Sequence, residues 1–153
     1  MSKFSLKVLS VTHWTDTLFS FQIERPKDFK FKSGEFVMIG LPNSDKPILR
    51  AYSICSPSWD EKLEFYSIIV ENGPLTSKLK NIKINDEIIL MSKSTGTLIL
   101  DALKPAKRLF LFSTGTGFAP FSSIIRDPET YDKFEQIIVT HTCRFKNELH
   151  YSE

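Results

Sequence analysis

The sequence predicts two unlike parts in one chain. Residues 1–101 read as an antiparallel all-β barrel or sandwich, and residues 102–153 as the opening of a parallel α/β domain. Three observations carry this reading. Short β-prone runs separated by turn residues recur through the first part at intervals of roughly 8–12 residues. The pattern changes near Asp101 to a continuous apolar run, Leu109-Phe-Leu-Phe112, as in a fully buried parallel strand. That run enters Ser113-Thr-Gly-Thr-Gly117, followed by a helical pattern and a second apolar run. Strand, loop, helix and strand in this order open a doubly wound sheet.

The elements follow in order. Phe4 to Val11 is a first strand. From Thr17 to Glu24, Phe19, Phe21 and Ile23 alternate with Ser20, Gln22 and Glu24, which marks a half-buried second strand. Arg25-Pro26-Lys27-Asp28 breaks it. Ser33-Gly34 turns the chain into a third strand, Glu35 to Leu41. Pro42-Asn43-Ser44-Asp45 is a loop leading to the Arg50 strand, and Pro57-Ser58-Trp59-Asp60-Glu61 turns the chain again. Leu63 to Val70 is apolar on both faces and is expected to be central. After Asn72-Gly73-Pro74 a short helix spans Leu75 to Asn81. Asn85-Asp86 is a tight turn, since Asn tolerates the left-handed conformation. Glu87 to Met91 is the sixth strand, and Thr95-Gly96 turns into a further strand, Thr97 to Leu100. In the second part Pro120 suits a helix start, and Phe118, Phe121, Ile124 and Ile125 form that helix's apolar stripe. Asp127-Pro128-Glu129 starts another helix: an N-cap, a proline, then an acid near the positive end. Ile137 to His141 is the closing strand.

Composition excludes several function classes. A net charge of +2 is too small to indicate nucleic acid or an anionic membrane surface. No apolar stretch approaches membrane-spanning length, and Met1-Ser-Lys-Phe-Ser-Leu-Lys7 lacks the apolar run of a secretion signal. A cytoplasmic protein with no membrane or nucleic-acid partner is expected. The two cysteines, Cys55 and Cys143, have no metal spacing and read as reduced structural thiols. His13, His141 and His150 form no metal or triad pattern and read as core or surface residues. Lys27, Lys30 and Lys32 read as a solvated face, and an acidic partner fits the same residues. The 13 phenylalanines against 6 glycines indicate strands with a tightly filled interior.

Three stretches carry candidate chemistry. In Arg50-Ala51-Tyr52-Ser53, strand alternation places Arg50 and Tyr52 on one face with Ser53 close by. A planar cation, a ring and a hydroxyl together suit a flat, anionic, aromatic ligand; a solvated Arg beside a core Tyr fits the same residues. Gly73-Pro-Leu-Thr-Ser77 opens a helix, whose free N–H groups suit phosphate, with the Thr76 and Ser77 hydroxyls as further donors. A plain capped turn fits it as well. Ser113-Thr-Gly-Thr-Gly117 lies at the carboxyl end of a strand, where ligands bind in open α/β sheets. Its glycines would let a phosphate approach the backbone.

Taken together, in this order and spacing, Arg50-Ala-Tyr-Ser53, Gly73-Pro-Leu-Thr-Ser77 and Ser113-Thr-Gly-Thr-Gly-Phe-Ala-Pro120 resemble the bacterial ferredoxin (flavodoxin)–NADP reductases. Leu63-Glu-Phe-Tyr-Ser67, Gly96-Thr-Leu98, Ile124 to Tyr131 and His141 to Arg144 extend the resemblance along the whole chain. It implies a Greek-key antiparallel barrel that binds FAD, followed by an NADP-binding α/β domain. It also implies site roles. Tyr52 would stack on the isoalloxazine, and Arg50 would pair with the pyrophosphate, a task suited to a guanidinium fork. Ala51 belongs to the same motif. Ser53 would hydrogen-bond near the reactive flavin nitrogen, which makes Ser53 and Tyr52 the candidate catalytic pair. Tyr66, Ser67 and Ile68 would line the flavin, and Pro74, Leu75 and Thr76 would offer backbone N–H groups to phosphate. Thr116 would lie where FAD and nicotinamide meet, and Cys143 and Arg144 would fall on the NADP side, with Arg144 on a phosphate. A solvated strand-end charge fits Arg144 as well.

The expected activity is electron transfer between NADPH and ferredoxin or flavodoxin through FAD. Family members continue well past the position of Glu153, so the second domain is expected to be truncated, with exposed apolar side chains and weak use of NADPH. Two other readings use the same motifs: a flavin-binding electron-transfer module completed by a partner subunit, and the flavin reductase component of an oxygenase. A non-functional gene fragment is a further one.

Overall fold

The computed structural model describes residues 2–42 and 47–150. The expected loop at Pro42–Asp45 therefore lies mostly outside the described residues. Six antiparallel strands form the first sheet: β1 (Lys3–His13), β2 (Leu18–Glu24), β3 (Phe36–Gly40), β4 (Arg50–Ser53), β5 (Lys62–Ile68) and β6 (Glu87–Met91). Their spatial order is β4-β3-β6-β1-β2-β5. β1 pairs with β6 through its first half and with β2 through its second, with a bulge between Val8 and Ser10. A bulge increases local twist, so one strand serves both halves of a curled sheet. Beyond β4 the backbone crosses to the other end of the order, where Cys55 N–H donates to the Glu64 carbonyl (2.8 Å). This bond joins the two ends of the sheet and makes it a near-closed barrel.

The phenylalanines fill that barrel. Phe19, Phe21, Phe29 and Phe65 are almost fully buried with Ile23, Ile39, Leu63 and Leu90. The Phe21 and Phe65 rings lie 5.4 Å apart, a normal aromatic packing distance. Two expectations fail here. β5 ends at Ile68 and stands at one end of the order rather than in its centre. Leu63, Phe65 and Ser67 are buried on its inner face, while on its outer face only Tyr66 is buried, packed with Leu18, Cys55 and, from the second part, Ala119; Ile68 stays exposed. The predicted strand Thr97 to Leu100 is instead an irregular segment ending in a single turn of 3-10 helix, Leu100–Ala102. It passes so close to Gly34 that a Cβ there would stand 1.8 Å from the Leu98 carbonyl oxygen.

The second part contains β7 (Arg108–Thr114) and β8 (Gln136–Thr142), paired in parallel from Arg108↔Gln136 to Thr114↔Thr142. Between them lie a 3-10 turn (Gly115–Phe118), α2 (Ala119–Ile125) and α3 (Pro128–Lys133); α1 (Thr76–Leu79) belongs to the first part and is shorter than the expected Leu75–Asn81. The apolar run of β7 is covered on one face only. Leu109 and Leu111 are buried against Ile124 and Phe134, whereas Phe110 and Phe112 stay 50% and 70% exposed. Full burial of this strand was expected for a complete doubly wound sheet; here helices cover a single side.

Beside the apolar cluster of Tyr66, Leu18, Cys55 and Ala119, the contact between the two parts carries a set of polar bonds, which the apolar stripe of α2 does not reveal. Ser123 Oγ donates to the Ser56 carbonyl (2.7 Å). Arg126 Nη2 reaches the Cys55 carbonyl and lies 3.5 Å from Glu64 Oε2. Asp127, buried at the α3 N-cap, accepts from Glu129 N–H (3.1 Å) and from the hydroxyls of Ser33 (2.6 Å) and Ser58 (3.0 Å). Each such buried bond contributes about 1 kcal/mol and costs more when one partner is removed. Together they hold α2 and α3 against the barrel, and with them the Gly115–Phe118 turn, which precedes α2, beside β4 and β5.

Candidate functional site

One open cleft of about 530 Å³ lies between β4, β5, the turn before α1 and the loop after β7. It is lined by every residue singled out for FAD: Arg50, Ala51, Tyr52, Ser53, Tyr66, Ser67, Ile68, Pro74, Leu75, Thr76 and Thr116. All four β4 residues border it, on both sides of the pleat. Among the described residues the strand pairs with β3 alone and stands at the end of the sheet order, beside the cleft.

The ring of Tyr52 is fixed at two points. It meets Phe65 edge-on, with centroids 6.3 Å apart at 88°, and its hydroxyl lies 3.1 Å from Ser67 Oγ. Burial lifts the phenol above the usual tyrosine range, with the Ser67 hydrogen bond opposing, so the ring is neutral at physiological pH. Arg50 is exposed at the cleft rim and donates only to its neighbour's carbonyl, Leu49 O (2.9 Å), among the described residues. Its remaining donors are available to a ligand. Ser53 is half-buried on the same wall.

The phosphate turn works differently from expectation. Pro74 has no N–H and cannot donate, and the Thr76 hydroxyl is spent on Val70, accepting from its N–H and donating to its carbonyl (3.2 Å each). The donors left facing the cleft are the backbone N–H groups of Leu75 and Thr76, which take no part in the turn's own bonds. Asn72 adopts φ 59° to make this turn, a conformation Asn tolerates. Opposite, Gly115 has φ +52°, and a Cβ on Gly115 or Gly117 would meet nothing within 4 Å. The loop backbone therefore faces open space, as a ligand-approach site requires.

A second cavity of about 640 Å³ adjoins the first and shares Tyr66, Ile68 and Thr116 with it. It brings together Thr116, Cys143 and Arg144 as expected, beside Thr114, Phe145 and Glu148. Arg144 is exposed and joins no ion pair among the described residues. Tyr66 is buried between the cavities, and its hydroxyl donates to the Glu148 carbonyl (3.4 Å). Burial pushes its phenol far above the usual range, helped by Cys143, Cys55 and Glu148. Cys143 lies 3.3 Å from His141 Nε2 and donates to the Glu148 carbonyl (3.6 Å). Burial raises this thiol, the Gly115 backbone opposes and Glu148 adds to the rise, so the thiol stays protonated and a poor nucleophile.

Val70, Gly73, Gly117 and Ala119 also line the first cleft and were not assigned from sequence. Gly73 and Gly117 sat inside recognised motifs and were legible there. Phe145 and Glu148 carried no signal, because they reach the second cavity only where the chain folds back over Tyr66. Among the described residues no cluster of potential metal ligands exists and no helix is long and apolar enough to cross a membrane.

The donor set fits FAD. A half-exposed ring suits a flat heterocycle, and a guanidinium that joins no ion pair among the described residues, with two backbone N–H groups, suits a pyrophosphate. Comparison with known proteins agrees. Residues 5–98 match the family described as the oxidoreductase FAD-binding domain. A flavodoxin/ferredoxin–NADP reductase of Rhodobacter capsulatus is 60% identical over 145 residues, covering 94% of this chain and 54% of that protein. A ferredoxin–NADP reductase of Pseudomonas aeruginosa is 54% identical over 147 residues, covering 96% and 57%. Among solved structures, a ferredoxin NADP+ reductase from Neisseria gonorrhoeae with bound FAD and NADP superposes with a TM-score of 0.92 at 33% identity, covering 96% of this chain and 60% of that one. The chain thus spans a little over half the length of the curated relatives it matches.

Proposed function

Since the chain belongs to the oxidoreductase FAD-binding domain family, we propose that its first cleft holds FAD and that it forms the flavin-holding part of a ferredoxin– or flavodoxin–NADP reductase. The observation that carries this is convergence: residues of three separate motifs, in β4, the α1 turn and the β7 loop, line one cleft together with Tyr66, Ser67 and Ile68 of β5. The boundary between flavin-holding and nucleotide-facing parts falls near residue 101, in the turn that joins the two sheets. The cytoplasm suits a chain with free thiols in a redox role.

FAD, when bound, supplies two-electron exchange with a nicotinamide and one-electron exchange with a small redox protein. This chain's residues hold and orient it. Arg50 supplies a forked cation for the pyrophosphate, and Leu75 and Thr76 add backbone N–H donors. Tyr52, locked by Ser67 and Phe65, gives a neutral stacking face, and Ser53 offers its hydroxyl to the ring edge. On the far side of Thr116, Arg144, which joins no ion pair among the described residues, would supply a cation for a nucleotide phosphate, which supports NADP(H) as the occupant of the second cavity.

A second reading rests on Phe110 and Phe112, stacked 6.0 Å apart and largely exposed on β7. In it, the chain is an electron-transfer module whose open sheet face is covered by another polypeptide. One titration separates these. The 153-residue chain is expected to quench FAD fluorescence saturably at one site per chain, and once loaded to oxidise NADPH slowly with an artificial acceptor. A flavin-loaded chain inert to NADPH but reducible by a small redox protein favours the second reading. No saturable FAD binding rejects both.

A further inference from the structure

Resting on the flavin reading, we infer that His141 is a positioning residue: it holds the loop that forms the wall between the two cavities. His141 lies in β8 opposite Ser113. Its Nε2 is 3.0 Å from the Gly115 carbonyl oxygen. A carbonyl can only accept, so Nε2 carries the hydrogen in this arrangement. The same ring stacks on buried Phe118, with centroids 4.6 Å apart at 11°. One imidazole therefore grips Gly115 and Phe118, the two ends of the four-residue turn that contains Thr116 and Gly117.

Phe118 is buried at one end of that turn, but its glycines offer no side chain to pack, and a Cβ on Gly115 or Gly117 would meet no atom within 4 Å. Thr116, which lines both cavities, is placed by what happens at the turn's ends. The contact with Cys143 fits the same picture. With the Nε2 hydrogen committed to Gly115, the thiol sends its own hydrogen to the Glu148 carbonyl, and the imidazole is no base for the sulfur. His141 thus acts on loop geometry, through Gly115, rather than on a proton of the reaction.

The test uses the full chain, with and without FAD, as wild type, His141→Leu and His141→Gln. Leu keeps apolar bulk without a donor, and Gln keeps an N–H. Losing the Nε2 hydrogen bond is expected to speed amide hydrogen exchange at residues 115–117 on the order of fivefold. It should also weaken FAD binding severalfold and shift the visible bands of bound flavin, with His141→Gln restoring all three. Unchanged flavin bands and affinity in His141→Leu, no rescue by His141→Gln, or faster exchange spread along all of β8 would each overturn the inference. Failure of the wild type to take up FAD would instead defeat the flavin reading on which it rests.

Discussion

Replacing Arg50 by Ala is expected to weaken FAD binding by about 1.5–3 kcal/mol, or roughly 10- to 150-fold, the range for charge-assisted hydrogen bonds. The fold should not notice. Arg50 is exposed and bonds only to Leu49 O among the described residues, and such surface substitutions shift stability by no more than about 0.5 kcal/mol. The two effects therefore separate cleanly: fluorescence titration reports the loss of affinity, and chemical denaturation of the FAD-free chain reports none. Arg50→Lys should fall between, keeping the charge and losing the fork. Wild-type affinity in Arg50→Ala would remove the pyrophosphate from this end of the cleft.

The second large effect concerns the fold. Gly34 has φ +102°, and a Cβ there would stand 1.8 Å from the Leu98 carbonyl oxygen and 3.2 Å from Ile124 Cδ1. Side chains rarely adopt that backbone conformation, which costs about 1–3 kcal/mol, and forced overpacking adds about 1–3 kcal/mol more. Gly34→Ala should therefore lose roughly 2–6 kcal/mol, a large share of the usual 5–15 kcal/mol of a domain. The site would suffer with it, since the displaced Leu98–Leu100 segment lies between the barrel and α2. Gly117→Ala is the control. Its Cβ meets nothing, so stability should hold while FAD affinity falls through crowding of the cleft. Denaturation midpoints of the two variants check this; equal stability would show that the segment yields at no cost.

Much of this site was legible before any coordinates. β2, β3, β4 and β6 follow from alternation and turn residues, and Asn85 does adopt the left-handed turn expected of it, at φ 74°. The three motifs suffice to find the cleft because its ligand-facing groups are local: a strand edge and two turns. What escaped the sequence depends on distant partners. The burial of Tyr66 on the outer face of β5 requires α2 to lie outside the barrel, and the apolar pattern of Leu63–Val70 does not show what covers it. Ser56 and Ser123, or Asp127 and Ser33, look like ordinary polar residues until the fold brings them into hydrogen-bond contact. Pro74 could be set aside as a donor from its residue type alone, whereas the Thr76 hydroxyl escaped for a different reason. A turn that must satisfy its own backbone spends some of the donors that a ligand could use, and only the geometry shows which remain. His141 had no distinguishing neighbour in sequence; Gly115 and Phe118 reach it only across the parallel pair β7–β8.

A crystal structure of this chain grown with FAD tests the central claim most directly. The isoalloxazine should lie against Tyr52, between Ser53 and Thr116, with the pyrophosphate between the Arg50 guanidinium and the Leu75 and Thr76 N–H groups. FAD bound away from β4, or an ordered FAD in this cleft whose pyrophosphate leaves Arg50 in solvent, would contradict it.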